Sequence, residues 1–120
     1  MADLEKMKAL GIDIDEGVAC CADDPEFYEE MLGEYVSEAK KGAEELRRAF
    51  AEEDWKSYGI RAHTIKSTSR MIGARNLSES ALRMETAAKE GNFEEIRLMH
   101  ASFMEDYEVL TSGIKEGLDG

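Results

Sequence analysis

The chain has 120 residues, 42% of them hydrophobic and only one of them proline, which suits a single domain around a single core. Its net charge of −12 argues against nucleic acid and anionic membrane surfaces as partners, because their phosphates would be repelled. No apolar run approaches the roughly 20 residues of a membrane span. The N-terminus is charged and amphipathic, with no apolar stretch of a secretory signal.

Cys20 and Cys21 are adjacent. They form no disulfide framework and lack the second Cys or His pair of a zinc site, so both are expected to be buried or half-buried thiols. A reducing, cytoplasmic location follows as the expectation, with no metal site and no membrane insertion. Abundant Glu, Lys, Ala, Leu and Met, with no alternating Val/Ile runs, predict an all-α fold.

In chain order, Leu4, Met7 and Leu10 at three-residue spacing predict a short or frayed helix over Met1 to Leu10. Asp13 to Glu16 resembles a capping box and predicts a second short helix that closes one end of the bundle. Asp24-Pro25 is an N-cap followed by proline at the first helical position. The long helix it opens carries Tyr28, Tyr35, Ala39, Ala43, Leu46 and Phe50 inward to about Glu52, with a weak point at Gly42. Asp54 caps the next helix, which ends near Gly73. Asn76 to Glu79 reads as another capping box, opening a helix with Leu77, Ala81, Met84 and Ala88 inside and a stop at Gly91. Asn92 starts the last helix, whose stripe of Phe93, Ile96, His100, Phe103, Tyr107, Leu110 and Ile114 precedes fraying over Lys115 to Gly120. Short turns between amphipathic helices predict an antiparallel up-down four-helix bundle with one or two short N-terminal helices, a domain spanning 1–120 with its core at about 10–115.

The helix opened by Asp54 carries the chemistry. Its apolar or small stripe is Trp55, Tyr58, Ala62, Ile65, Ser69 and Ile72. His63 lies about 140° from the centre of that stripe, so its ring should face water. Gly59, Ile60, Lys66, Ser67 and Arg70 share its outward face. Lys66, one turn on, is close enough to reach a group bonded to the imidazole. Neutral imidazole is a competent nucleophile toward phosphorus, and an ammonium and a guanidinium would steady a phosphoryl group attached there. Arg61, Lys66, Arg70 and Arg75 are expected to form a local cationic patch on the acidic body. On spacing alone, a solvated surface histidine is the more usual explanation of the pattern.

The run His63-Thr64-Ile65-Lys66-Ser67-Thr68-Ser69, with Met71-Ile72-Gly73-Ala74 and Leu77-Ser78 after it, resembles the His-x-x-Lys-Gly-Ser-Ser signature of histidine-containing phosphotransfer (HPt) domains. Gly11-Ile12-Asp13, Asp54-Trp55 and Ala87 to Asn92 also fall where that family has similar residues, so the resemblance runs from about Leu10 to Ile114. It implies a phosphorelay carrier in which His63 accepts a phosphoryl group from one receiver-domain aspartate and yields it to another. Lys66 would stabilise the phosphoryl charge, with Ser67 and Arg70 as candidate helpers, and Gly59 and Ile60 would meet the partner. Response-regulator receivers or a hybrid histidine kinase would be the partners of a monomer. No cofactor is implied, since any Mg²⁺ belongs to the receiver, and the protein would be a carrier rather than a self-contained enzyme. The family usually has glycine where Ser67 stands. Serine adds bulk about 40° round the helix from His63, which bears on how closely a partner docks.

Ile60 reads equally as a docking contact or as an ordinary exposed side chain. His100 falls on the buried stripe and is expected at the core edge with a hydrogen-bond partner. The carboxylates, including Glu44, Glu45, Glu52, Glu53, Glu94 and Glu95, are expected on solvated helix faces. Two other functions remain open at this level: a helical module that binds a receiver or kinase without being phosphorylated, and a histidine-kinase dimerisation fragment. The acid after the histidine and the later proline usual in the latter are missing here.

Overall fold

The computed structural model describes residues 3–119 and, among them, contains only helices. Two short helices, α1 (Leu4–Ala9) and α2 (Ile14–Cys20), precede four long ones: α3 (Pro25–Ala51), α4 (Trp55–Met71), α5 (Arg75–Glu90) and α6 (Phe93–Asp119). Turns of two or three residues make sequential neighbours antiparallel, and α6 closes back onto α3. The result is an up-down four-helix bundle.

Aspartates set most of the starts. The Asp24 carboxylate accepts from the amides of Glu26 and Phe27 at 3.0 and 3.3 Å. Asp54 accepts from the Ser57 amide at 3.1 Å and from its hydroxyl at 2.7 Å. Each satisfies donors that the first helical turn leaves open. The start of α5 differs from expectation. Ala74, with no side-chain cap, holds the N-cap position, and Asn76 lies inside the first turn. Gly73, at φ 84°, reverses the chain so tightly that the Ala74 amide returns to the Ser69 carbonyl at 2.8 Å. The three-residue turn is complete before Asn76 is reached.

Two further differences share a cause. Gly42 does not weaken α3; it is buried where α6 brings the Tyr107 hydroxyl close, and a Cβ there would lie 3.2 Å from that oxygen. Nor does α6 fray at Lys115: it stays helical to Asp119 because α1 lies over it. Leu10 packs against Gly113 and Met7 against Gly117, the Asp3 amide donates to the Gly117 carbonyl at 2.8 Å, and Lys6 pairs with Glu116 at 3.3 Å. Met1, Ala2 and Gly120, the outermost residues of the two predicted end segments, lie outside the described residues. Cys21 is buried as expected, whereas Cys20 is exposed on α2.

The core is built from Tyr28, Leu32 and Leu46 of α3, Tyr58 and Ile65 of α4, Met84 of α5, and Ile96, Phe103 and Ile114 of α6. His100 is buried among them, stacked on Phe50 at 3.9 Å between ring centres and joined through Nδ1 to the Tyr58 hydroxyl at 2.8 Å. Burial, and then the charge of Arg47, pushes its pKa down. Where α4 and α5 pack, side chains are small. Gly59 faces Ala88, 3.3 Å from where its own Cβ would be, and the Ser78 hydroxyl donates to the Lys66 carbonyl at 3.0 Å.

At the end closed by α2, the Asp13 amide donates to the Gly73 carbonyl at 2.9 Å, and a side chain at Gly73 would drive into the Asp13 carbonyl. Gly11 also has a positive φ, of 87°, but nothing lies within 4 Å of where its Cβ would sit. Gly11→Ala is therefore expected to cost about 1 kcal/mol, the backbone penalty alone. Gly73→Ala should cost at least about 2 kcal/mol more, because backbone must move. Urea unfolding of both variants checks this; equal losses would show that α2 does not press on the turn.

Candidate functional site

The site is built on adjoining faces of α4 and α5. Ala62, Ile65 and Ser69 are buried on the inner face of α4, and that face is pinned by Tyr35, whose hydroxyl meets Ser69 Oγ at 2.7 Å. This orientation turns His63 outward, with its side chain 57% exposed. The α5 helix then brings up a residue that the sequence reading passed over. Glu85, its side chain only 4% exposed, places Oε2 2.6 Å from His63 Nδ1 and Oε1 2.8 Å from Lys66 Nζ. Lys89, one turn further along α5, reaches Oε2 at 3.1 Å.

Burial pushes the Glu85 carboxyl up, but hydrogen bonds from Lys66, Lys89 and His63 outweigh it and bring the pKa down to about 2. Glu85 is therefore ionised at neutral pH, and an ionised carboxylate can only accept hydrogen bonds. Nδ1 must carry the proton it shares with Glu85. In the neutral ring this leaves the lone pair on Nε2, which points away from α5.

The expected cationic patch is rearranged. Arg61 turns toward α3 and pairs with Glu45, and Arg75 pairs with Glu16 of α2 at 2.8 Å. Both are withdrawn from His63, and Lys66 is half-buried against Glu85. Ser67 and Arg70 are exposed on the open face of α4, and Arg70 makes no ion pair among the described residues. The cations added beside the histidine are Lys89 and Lys56, which line the same groove as His63. Gly59, expected on the open face, is buried against α5 and forms the floor of that groove. The groove has a volume of about 540 Å³ and is walled by Trp55, Ile60, Thr64 and Ala88. Ile60 stands 61% exposed on its rim.

Glu85 was legible in part. It follows Met84 and lies four residues from Ala81, on the inward side of the α5 stripe, and a carboxylate there is a buried charge that needs partners. Which partners it finds depends on how α4 and α5 pack, and that is not written in the local pattern.

An exposed imidazole on one helix, bonded to a carboxylate on the next and flanked by ammonium groups, is an arrangement chemically suited to carrying a phosphoryl group. The sequence model of the Hpt domain family matches residues 30–113, a span that includes His63, Lys66, Glu85 and Lys89. The chain belongs to the Hpt domain family and is a phosphotransfer module of two-component signalling, a class that interacts with receiver domains and kinases. Comparison with curated proteins and with solved structures returns no match. Among the described residues no helix is long and apolar enough to cross a membrane.

The Glu85 cluster predicts a pH signature. A pKa lowered on folding means that the stabilisation is complete above about pH 5 and is lost as pH falls toward 2, about 3 kcal/mol in all. Thermal unfolding of the wild type should therefore fall more steeply over that window than unfolding of Glu85→Gln, and the two curves should converge at the acid end. Parallel curves would show that the carboxylate gains nothing from its partners.

Proposed function

We propose that His63 is the phosphoryl acceptor and that the protein relays the group between receiver-domain aspartates. The 2.6 Å bond from His63 Nδ1 to Glu85 carries the reading, because it leaves Nε2 as the exposed nucleophilic atom. A receiver carrying an aspartyl phosphate docks over the open face of α4. Nε2 attacks phosphorus in line, the N–P bond forms, and the P–O bond to the aspartyl group breaks, so the receiver leaves with a free carboxylate. As Nε2 gives up its lone pair the ring becomes cationic, with Nδ1 still protonated. Glu85 stabilises that charge across the hydrogen bond, as preorganised dipoles and charges do at a reacting centre. The second receiver runs the same steps in reverse.

Lys66 is a partly buried cation one helical turn from His63 and is already ordered by Glu85. Its ammonium has three donors, so it can keep the Glu85 bond and turn another donor to the phosphoryl oxygens. Arg70 and Ser67, on the same face, are in position to add to this. Ile60, and the groove floored by Gly59, supply the apolar contact that brings the receiver close.

Transfer from phosphorylated receivers tests the proposal. Label should be acid-labile, base-stable and absent from His63→Gln. Lys66→Ala should keep its helical content and transfer roughly 10- to 100-fold more slowly, the loss of one charge-assisted contact to the moving group. Label that persists in His63→Gln, or a wild type that takes none from any of several receivers, would refute the assignment.

A further inference from the structure

A second groove, of about 490 Å³, runs between α3 and α4 on the other side of the exposed face of α4. Its lining includes Met31, Tyr35, Ile65 and Ile72, and Phe27, 43% exposed, borders it. Thr64 lines this groove and also the one beside His63, so the two meet across a single turn of α4. The α3 edge carries Glu30, Glu34 and Glu38, one carboxylate per helical turn. None of the three makes a side-chain hydrogen bond or ion pair among the described residues. The cation of the groove, Arg61, is already paired with Glu45.

The three carboxylates add no such contact to the fold among the described residues. Like charges spaced four apart repel along a helix, and beside them Phe27 stands exposed and Met31 half-buried. Together with the cations at His63 it makes a two-signed face, with Lys56 and Lys89 at one groove and the three glutamates at the other. Resting on the reading of His63 as acceptor, we propose that the α3/α4 groove is the selective half of the receiver-docking surface. It takes an apolar element flanked by lysine or arginine, and so favours receivers with basic side chains next to their apolar docking patch. The opposed charges also set orientation, because the acidic phosphoaspartate pocket of such a receiver can then fall only on the His63 side.

The test uses two phosphorylated receivers, one with Lys or Arg around its docking patch and one with Asp or Glu there. The variants are Glu30→Gln/Glu34→Gln/Glu38→Gln and the corresponding triple Lys substitution, all at exposed helix positions. For the basic receiver, kcat/KM should fall about 10-fold in the Gln variant and about 100-fold in the Lys variant at low salt, with the differences shrinking at high salt. The acidic receiver should gain from the Lys variant. Labelling of His63 by phosphoramidate, a small donor that needs no docking, should be the same in all three proteins.

Transfer that ignores these charges in both receivers would overturn the inference and leave the relay standing. Failure of wild-type transfer from both receivers, with phosphoramidate still labelling His63, would remove the relay and the inference with it. A wild-type dimer in sedimentation that Phe27→Glu dissolves would put a second copy of the chain in the groove instead, and would equally overturn it.

Discussion

A carboxylate held almost out of water between two helices is the constraint on which the site depends. Glu85 cannot stay ionised in that position alone, since desolvation of an isolated charge would cost several kcal/mol. It is ionised because Lys66, Lys89 and His63 converge on its two oxygens. The same convergence fixes which nitrogen of the imidazole holds the proton, at what angle the ring stands, and where the half-buried lysine ends. Structural and chemical roles therefore fall on one residue, and a neutral replacement would alter both.

The packing that allows this is made by residues with little to offer chemically. Gly59 opposite Ala88 lets the two backbones approach, and Ser78 fastens the Lys66 carbonyl to α5. With larger side chains at these places Glu85 would stand too far from the imidazole to hold it. The burial of Gly59 makes sense in these terms: its small size serves the contact between helices first and the floor of the groove second.

Much of the bundle is legible in the sequence because it is written in local terms. Aspartate N-caps, the stops at Gly73 and Gly91 and the three-four spacing of apolar residues place the four long helices closely. The outward turn of His63 follows from the stripe of α4. What escaped was non-local. Asn76 looked like a cap, but Gly73 and Ala74 had already closed the turn. Arg61 and Arg75 looked like companions of the histidine until α3 and α2 supplied Glu45 and Glu16. Glu85, one of 27 acidic residues, falls on the inward side of the α5 stripe, but only the packing of α5 on α4 shows which partners it meets.

The clasp of α1 on the end of α6 has a consequence for how the molecule loosens. Gly113 and Gly117 are covered by a segment from the far end of the chain, through Leu10, Met7 and the Asp3 amide. Local openings in proteins follow such tertiary units rather than sequence neighbours. When α1 lifts, the last two turns of α6 lose their cover with it, and amides a hundred residues apart become exchangeable in one event. That event does not touch the α4–α5 seam, so the two extremities can breathe together while the imidazole and its carboxylate stay in register.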